Sequence, residues 1–264
     1  MFFDELPLSD EVLDALWDMH FDTCTPVQEK TIPVILDGHD LLGVAQTGTG
    51  KTGAFGSIII SNIPADQQKP SAIVLAPTRE LAVQVSDEIN KMSAYTGHVC
   101  IPIYGGARIE KQVDQLEKGC DIVAGTPGRV RDMIEREYLD LSTIQVIVMD
   151  ESDRMLDMGF IDDIMAVIAE LPKKRQTMLF SATMPPKIRE LANDILDRPA
   201  EVRLSVSKPN DKIVQGAFVC YEPQKPALVQ MLLKGNEELG ITAVAEKDKV
   251  LIFASSKIKV KEVT

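Results

Sequence analysis

Short apolar runs recur along the chain at 41–45, 72–76, 99–104, 121–125, 144–150 and 176–181, and each is continuous rather than alternating. A strand with one face in water alternates apolar with polar residues, whereas a continuous run needs cover on both faces. Helix-start signals lie between the runs. Thr78 precedes Arg79-Glu80-Leu81 and Thr126 precedes Pro127, each a candidate cap, the second with proline at the first helical position. Strand and helix in alternation predict an α/β domain with a doubly wound, mainly parallel sheet. Its ligand crevice is expected at the carboxyl ends of the strands.

Two helical pieces precede the sheet. Ser9 can cap a helix carrying Val12, Leu13, Leu16 and Trp17 on one face, and Thr25-Pro26-Val27-Gln28 has the form of a capping box. Past Leu196 the pattern changes. Residues 197–212 read as a linker, followed by a strand at 213–221, a helix at 224–233, a polar loop at 236–247 and a strand at 250–254. The expected organisation is therefore an N-terminal region (1–38), a main domain (39–196), a linker (197–212) and an incomplete second α/β domain (213–264).

Composition narrows the function classes. Twenty-eight Lys plus Arg stand against forty Asp plus Glu, a net charge of −12, which argues against a basic patch as the main grip on nucleic acid or a membrane. A local groove of backbone amides and a few arginines stays possible. No apolar run approaches the roughly eighteen residues that cross a bilayer, and Met1-Phe2-Phe3-Asp4-Glu5 is acidic where a secretory signal is basic. A cytoplasmic protein with no membrane partner is expected. Cys24, Cys100, Cys120 and Cys220 are scattered, as are His20, His39 and His98, so free thiols are expected and no metal cluster.

The chemistry sits at two strand ends. Ala45-Gln46-Thr47-Gly48-Thr49-Gly50-Lys51-Thr52 follows the first run and opens a helix, the context of a phosphate-binding loop. Glycines let the backbone N–H groups face a polyphosphate. Lys51 reaches the β- and γ-phosphates, and the Thr52 hydroxyl ligates Mg²⁺. The other reading is a Gly/Thr-rich turn. Asp150-Glu151 ends another run, where Asp150 can hold Mg²⁺ partly through water and Glu151 can orient or deprotonate an attacking water. Lys51, Asp150 and Glu151 are the catalytic candidates of a nucleotide hydrolase.

Asp150-Glu151-Ser152-Asp153 resembles the signature of the DEAD-box ATP-dependent RNA helicases, and further motifs of that family stand in order along nearly the whole chain. Phe21 to Gln28 resembles the adenine-recognising motif, with Phe3 as the isolated aromatic upstream. Residues 45–52 match motif I, Pro77-Thr78-Arg79-Glu80-Leu81 motif Ia, Gly105-Gly106 with Gln112 the GG motif, and Thr126-Pro127-Gly128-Arg129 motif Ib. Ser181-Ala182-Thr183 matches motif III and Val250-Leu251-Ile252-Phe253 resembles motif IV.

The resemblance implies a P-loop NTPase sheet of the RecA-like type that takes ATP and Mg²⁺. Phe21 would stack on adenine, with Gln28 and the backbone near Thr23 bonding its edge, though Gln28 also reads as the capping-box residue. Gln46, Thr47, Gly48, Thr49, Gly50, Lys51 and Thr52 would hold the phosphates. Asp153 would bond Ser181 and Thr183 and couple nucleotide state to domain movement. RNA would meet Pro77, Thr78, Arg79, Gly105, Gly106, Gln112, Thr126, Gly128 and Arg129 through its backbone, without base reading, on a monomer.

Ser152 stands where the family usually has Ala, and His20 where it usually has Gly. The family's later motifs, including its arginine finger, lie outside these residues, so the chain alone is expected to bind nucleotide and turn it over poorly. A DNA helicase or translocase, or a non-catalytic nucleotide- and RNA-binding module, are the alternatives. Met149, Met155, Met158 and Met165 read as core packing, Lys173-Lys174-Arg175 as a solvated turn, and Glu237-Glu238 with 246–249 as a charged, mobile loop.

Overall fold

The computed structural model describes residues 1–204, 216–236, 243–244, 249–256 and 259–261. Two helices come first, α1 (Asp10–Asp18) and α2 (Pro26–Leu36). Strand and helix then alternate: β1 (Leu41–Val44), α3 (Lys51–Asn62), β2 (Ala72–Leu75), α4 (Arg79–Met92), β3 (Cys100–Ile103), α5 (Ile109–Leu116), β4 (Ile122–Gly125) and α6 (Pro127–Glu135). β5 (Val146–Met149), α7 (Ser152–Asp157), α8 (Ile161–Ala169), β6 (Gln176–Ser181), α9 (Pro186–Ile195) and β7 (Ala200–Arg203) complete the first of two compact units, Met1–Ser207.

The seven strands form one sheet in the order β3-β4-β2-β5-β6-β1-β7, and every neighbouring pair is parallel. Successive residues of each central strand serve opposite faces. Val74, Val148 and Phe180 join one apolar cluster with Ile32, Phe55 and Ile89, while Ile73, Ile147 and Leu179 join the other with Val130, Ile164 and Ile188. Both faces are covered by helices, which is why the runs are continuous.

Passing from β1 to β2 the chain skips two strands, so the carboxyl ends of β1, β6 and β5 lie side by side at a topological switch. Three devices hold that edge. Gly43 lies so close to Phe180 that a Cβ would fall 2.6 Å from its ring, and that ring packs on Phe55 with centroids 5.8 Å apart. Buried Asp40 accepts from Thr177 N–H at 2.7 Å and Asp197 N–H at 2.8 Å, tying β6 and the end of α9 to the head of β1. The Gln176 amide donates to the Ile35 and His39 carbonyls, both at 2.8 Å.

Several expectations need correction. Ala200–Arg203, expected within a linker, forms the edge strand β7 beside β1, and its alternating half-buried and exposed pattern gives no continuous apolar run. Ser9 precedes α1 but makes no side-chain cap bond, and Thr126 makes none at α6; Thr78 does cap α4, accepting from Leu81 N–H at 3.3 Å. Trp17 is 70% exposed rather than packed with Val12 and Leu16. Met149 and Met155 are buried, whereas Met158 and Met165 are exposed on the surface.

The second unit, Lys208–Thr264, contains α10 (Lys225–Lys234). No strand occurs in it among the described residues. Residues 216–221 and 250–254, read as strands, have no paired neighbour there, and an unpaired run is not a strand. The rest of the first of these runs (213–215), the linker residues 205–212, Glu237-Glu238 and 246–248 lie outside the described residues. Among the described residues no helix is long and apolar enough to cross a membrane.

Candidate active site

The loop after β1 turns through two left-handed glycines, Gly48 (φ 78°) and Gly50 (φ 91°), before α3 begins at Lys51. That conformation is cheap only for glycine, and a Cβ at Gly48 would meet nothing within 4 Å, so the loop bounds an open concavity. Lys51 reaches into it from the first residue of α3. Its side chain is only 4% exposed and its Nζ lies 2.9 Å from Asp150 Oδ1 at the end of β5. The ammonium makes no aligned hydrogen bond, so a buried cation is held by charge alone.

Asp150 Oδ1 also accepts from Glu151 N–H at 2.9 Å. Glu151 sits in the left-handed region (φ 51°), a strained placement for a residue with a side chain. Its carboxylate is fastened at both oxygens. Thr47 of the loop donates to Oε1 at 2.8 Å, and Arg154 Nη1 lies 3.3 Å from Oε2. Thr52 lines the same cavity, of about 220 Å³. A buried ammonium lacking a hydrogen bond, open backbone, a hydroxyl and a strand-end carboxylate form a donor set that fits a polyphosphate with a divalent cation.

Sequence reasoning missed two groups here. Gln84 and Glu88 project from α4 into the cavity, one turn apart below Leu81. Burial pushes the Glu88 carboxyl above its ordinary pKa, Lys91 opposes that, and Asp150 adds to it. The signal was helical spacing, since Leu81, Gln84, Val85 and Glu88 share a face.

Gln28 is buried, and both ends of its amide are engaged. Oε1 accepts from Thr25 N–H at 2.7 Å, the capping arm expected of it, while Nε2 donates to the Gly50 carbonyl at 3.0 Å. The cap of α2 is thereby joined to the phosphate loop. A second cavity, of about 450 Å³, adjoins that loop and is lined by Thr25, Pro26, Lys30, Gln46 and Thr49 among others. Phe21 and Thr23 do not line it. Phe21 packs partly on the core, and Thr23 pairs with Phe2 in an isolated bridge.

The carboxyl end of β6 meets Asp153 of α7. Oδ2 accepts from the Thr183 N–H at 2.9 Å and its hydroxyl at 2.8 Å. Burial by itself raises this carboxyl's pKa. The Thr183 hydroxyl and N–H, with the Arg154 and Ala182 N–H groups, outweigh that and hold it below the usual range. Ser181 is not part of this contact as expected, because its hydroxyl donates to the Thr183 carbonyl at 2.7 Å and braces the turn instead.

Three further loops leave the carboxyl ends of β2, β3 and β4. Gly105 and Gly106 are exposed with open space at their Cα atoms, and Gly106 is left-handed (φ 80°). Arg79 stacks on the Tyr104 ring, 4.7 Å from its centroid. Gln112 and Pro77 are buried. The Gln112 amide clamps the Tyr104 backbone, accepting from its N–H at 3.0 Å and donating to its carbonyl at 3.1 Å. Arg129 leans on the Ala107 carbonyl at 3.5 Å, with Thr126 and Gly128 half-buried beside it.

A family model described as DEAD/DEAH box helicase matches residues 25–191. The chain belongs to the DEAD/DEAH box helicase family. Among its curated relatives, the ATP-dependent RNA helicase CshA of Listeria monocytogenes is 40% identical over 264 residues, covering 99% of this chain and 49% of the relative. The ATP-dependent RNA helicase DeaD of Haemophilus influenzae is 40% identical over 263 residues, covering 99% of this chain and 42% of the relative. A crystal structure of a DEAD box protein from the hyperthermophile Methanococcus jannaschii superposes with a TM-score of 0.73 at 36% identity, covering 89% of this chain and 64% of that one. The sheet is thus that of a RecA-like helicase domain. The chain spans about half the length of the curated relatives it matches.

Both departures from the DEAD-box pattern have a structural reading. His20 keeps the left-handed backbone (φ 59°) that a glycine would adopt freely. The Ser152 hydroxyl is fully buried and donates to the Met149 carbonyl at 3.3 Å, so it does not compete for Asp153.

Proposed function

We propose that this chain is the ATP-binding half of an ATP-dependent RNA helicase, gripping RNA by its backbone without reading sequence. The observation that carries the reading is the buried Lys51–Asp150 pair beside Glu151, whose carboxylate the loop residue Thr47 holds. Lys51 exchanges Asp150 for the β- and γ-phosphates, which relieves a buried charge that has no hydrogen bond. Asp150, released, and the Thr52 hydroxyl would hold a divalent cation, and Mg²⁺ there would neutralise charge on the phosphates. Glu151 takes the proton of the attacking water, its aim fixed by Thr47 and Arg154.

Asp153 and Thr183 link this site to the end of β6, and so couple nucleotide state to movement. Arg79, Arg129, Thr78, Thr126 and the glycine loops supply a phosphate-tracking surface that suits a chain of net charge −12. Adenine selection belongs to the α2 start, with Gln28 as base contact or as loop brace.

Residues 1–264 alone are expected to bind Mg-ATP and hydrolyse it slowly. Arg154, the arginine beside Glu151, is committed to that carboxylate, and an arginine finger from elsewhere is worth about 10³–10⁵ in rate. The test is hydrolysis by this chain with and without single-stranded RNA, alongside Glu151→Gln. Retained nucleotide binding with turnover near background, and less still in the variant, supports the reading. Strong RNA-stimulated turnover by the chain alone contradicts the half-site account. Turnover unchanged in Glu151→Gln removes Glu151 as base, and equal affinity for DNA and RNA of one sequence favours a DNA translocase.

A further inference from the structure

Burial of apolar surface drives folding, so large aromatics left together in water at one place mark an interaction surface. Trp17 is 70% exposed and Phe2 is 53% exposed. Together with half-buried Leu13 and Phe21 they line a groove of about 570 Å³ against the start of the chain. Leu13, Asp14 and Trp17 share one side of α1, at the spacing that brings helix side chains together.

The polar residues of the groove are all acidic. Asp4, Asp14 and Asp22 line it, and no basic side chain does. Among the described residues none of these three carboxylates enters an ion pair or a side-chain hydrogen bond. The nearby cation, the Met1 ammonium, is taken by Glu29 at 2.7 Å, and the neighbouring Asp18 is taken by the Tyr95 hydroxyl. The groove shares no lining residue with either cavity at the phosphate loop. It includes Phe21 and Asp22 of the stretch that resembles the adenine-recognising motif, and the upstream Phe3, but its acidic rim does not suit an anion such as a nucleotide phosphate.

Exposed aromatic faces beside free carboxylates favour one kind of group. A guanidinium stacks flat on an indole and offers paired N–H donors to carboxylates, while an ammonium is more strongly hydrated and offers no plane. We infer that this groove docks an arginine-bearing segment of a protein partner, with a guanidinium stacked on Trp17 and its N–H groups on the acidic rim. An RNA or a membrane of anionic lipid would be repelled by the same rim.

Trp17 is the one tryptophan in the chain, so its emission reports directly on the groove. The experiment titrates the whole chain with a short peptide alternating Arg and Ala, with Lys/Ala and Gln/Ala peptides as comparisons, following Trp17 fluorescence and calorimetry together. The expected result is a saturable emission change with the Arg peptide, weaker with Lys and absent with Gln. Asp14→Asn and Asp22→Asn should each weaken binding by about two- to fivefold. By calorimetry Trp17→Leu should weaken it by roughly fivefold or more, with Mg-ADP binding unchanged as evidence of intact folding. Equal response to Lys and Arg, or affinity unaffected by these substitutions, overturns the inference and leaves only attraction to net negative charge. Displacement of the peptide by Mg-ADP overturns it too, by assigning the groove to the nucleotide.

Discussion

Glu88 is a carboxylate partly removed from water, with the negative charge of Asp150 adding to the cost of ionising it. Its pKa is higher in the fold than in the unfolded chain, so the native state binds more protons as pH rises through that window, and stability falls there. Above the window the loss is complete. Glu88→Gln should therefore raise the melting temperature at neutral pH, and the gain should disappear below the normal range of a glutamate. Melting curves of both proteins across pH check this, and an equal difference at every pH would contradict it.

Tyr104 is the second residue whose role only the structure exposes, because a tyrosine before two glycines looks like a strand end. Its ring carries Arg79, and Gln112 fixes its backbone. Tyr104→Leu should weaken single-stranded RNA binding by about two- to fivefold, whereas Tyr104→Phe keeps the ring and should keep the affinity. At this scale the phosphate-loop pattern and the family resemblance pointed to Lys51, Thr47, Asp150, Glu151 and Thr183, which the structure gathers at neighbouring strand ends. They could not tell that the Ser181 hydroxyl turns to the Thr183 carbonyl, nor that Trp17 faces water, since both depend on neighbours distant in the chain.

Among the elements, β1 carries the tightest constraint. Gly43 admits Phe180 from β6, and that ring is fully buried. Gly43→Ala should destabilise the fold by about 1–3 kcal/mol through overpacking, measured by urea denaturation; a change within error would mean that the sheet relaxes more easily than its packing implies. The strands from β1 to β6 were legible because both of their faces are covered, which demands uninterrupted apolar residues. β7 was not. It lies at the sheet edge, where Glu201 and Arg203 pair with each other in solvent and Pro199 suggests a turn. In the second unit, apolar β-branched composition predicted strands where none pair among the described residues, which shows that a strand belongs to its neighbours as much as to its own sequence.

At the scale of the whole molecule, an acidic chain spanning about half the length of its relatives carries a complete phosphate loop and strand-end carboxylate pair within one unit. On the proposed reading, nucleotide chemistry centres on the carboxyl ends of β1, β5 and β6, and binding is expected to need nothing outside that unit. Calorimetric titration of the chain with Mg-ADP and Mg-GDP, repeated for Lys51→Ala and Gln28→Ala, tests this most directly. The account predicts that Mg-ADP binds in preference to Mg-GDP and that Lys51→Ala abolishes both. A loss for ADP alone in Gln28→Ala marks a base contact; a parallel loss for both marks the brace on Gly50. No binding of Mg-ADP, or binding unaltered by Lys51→Ala, would contradict the account at its centre.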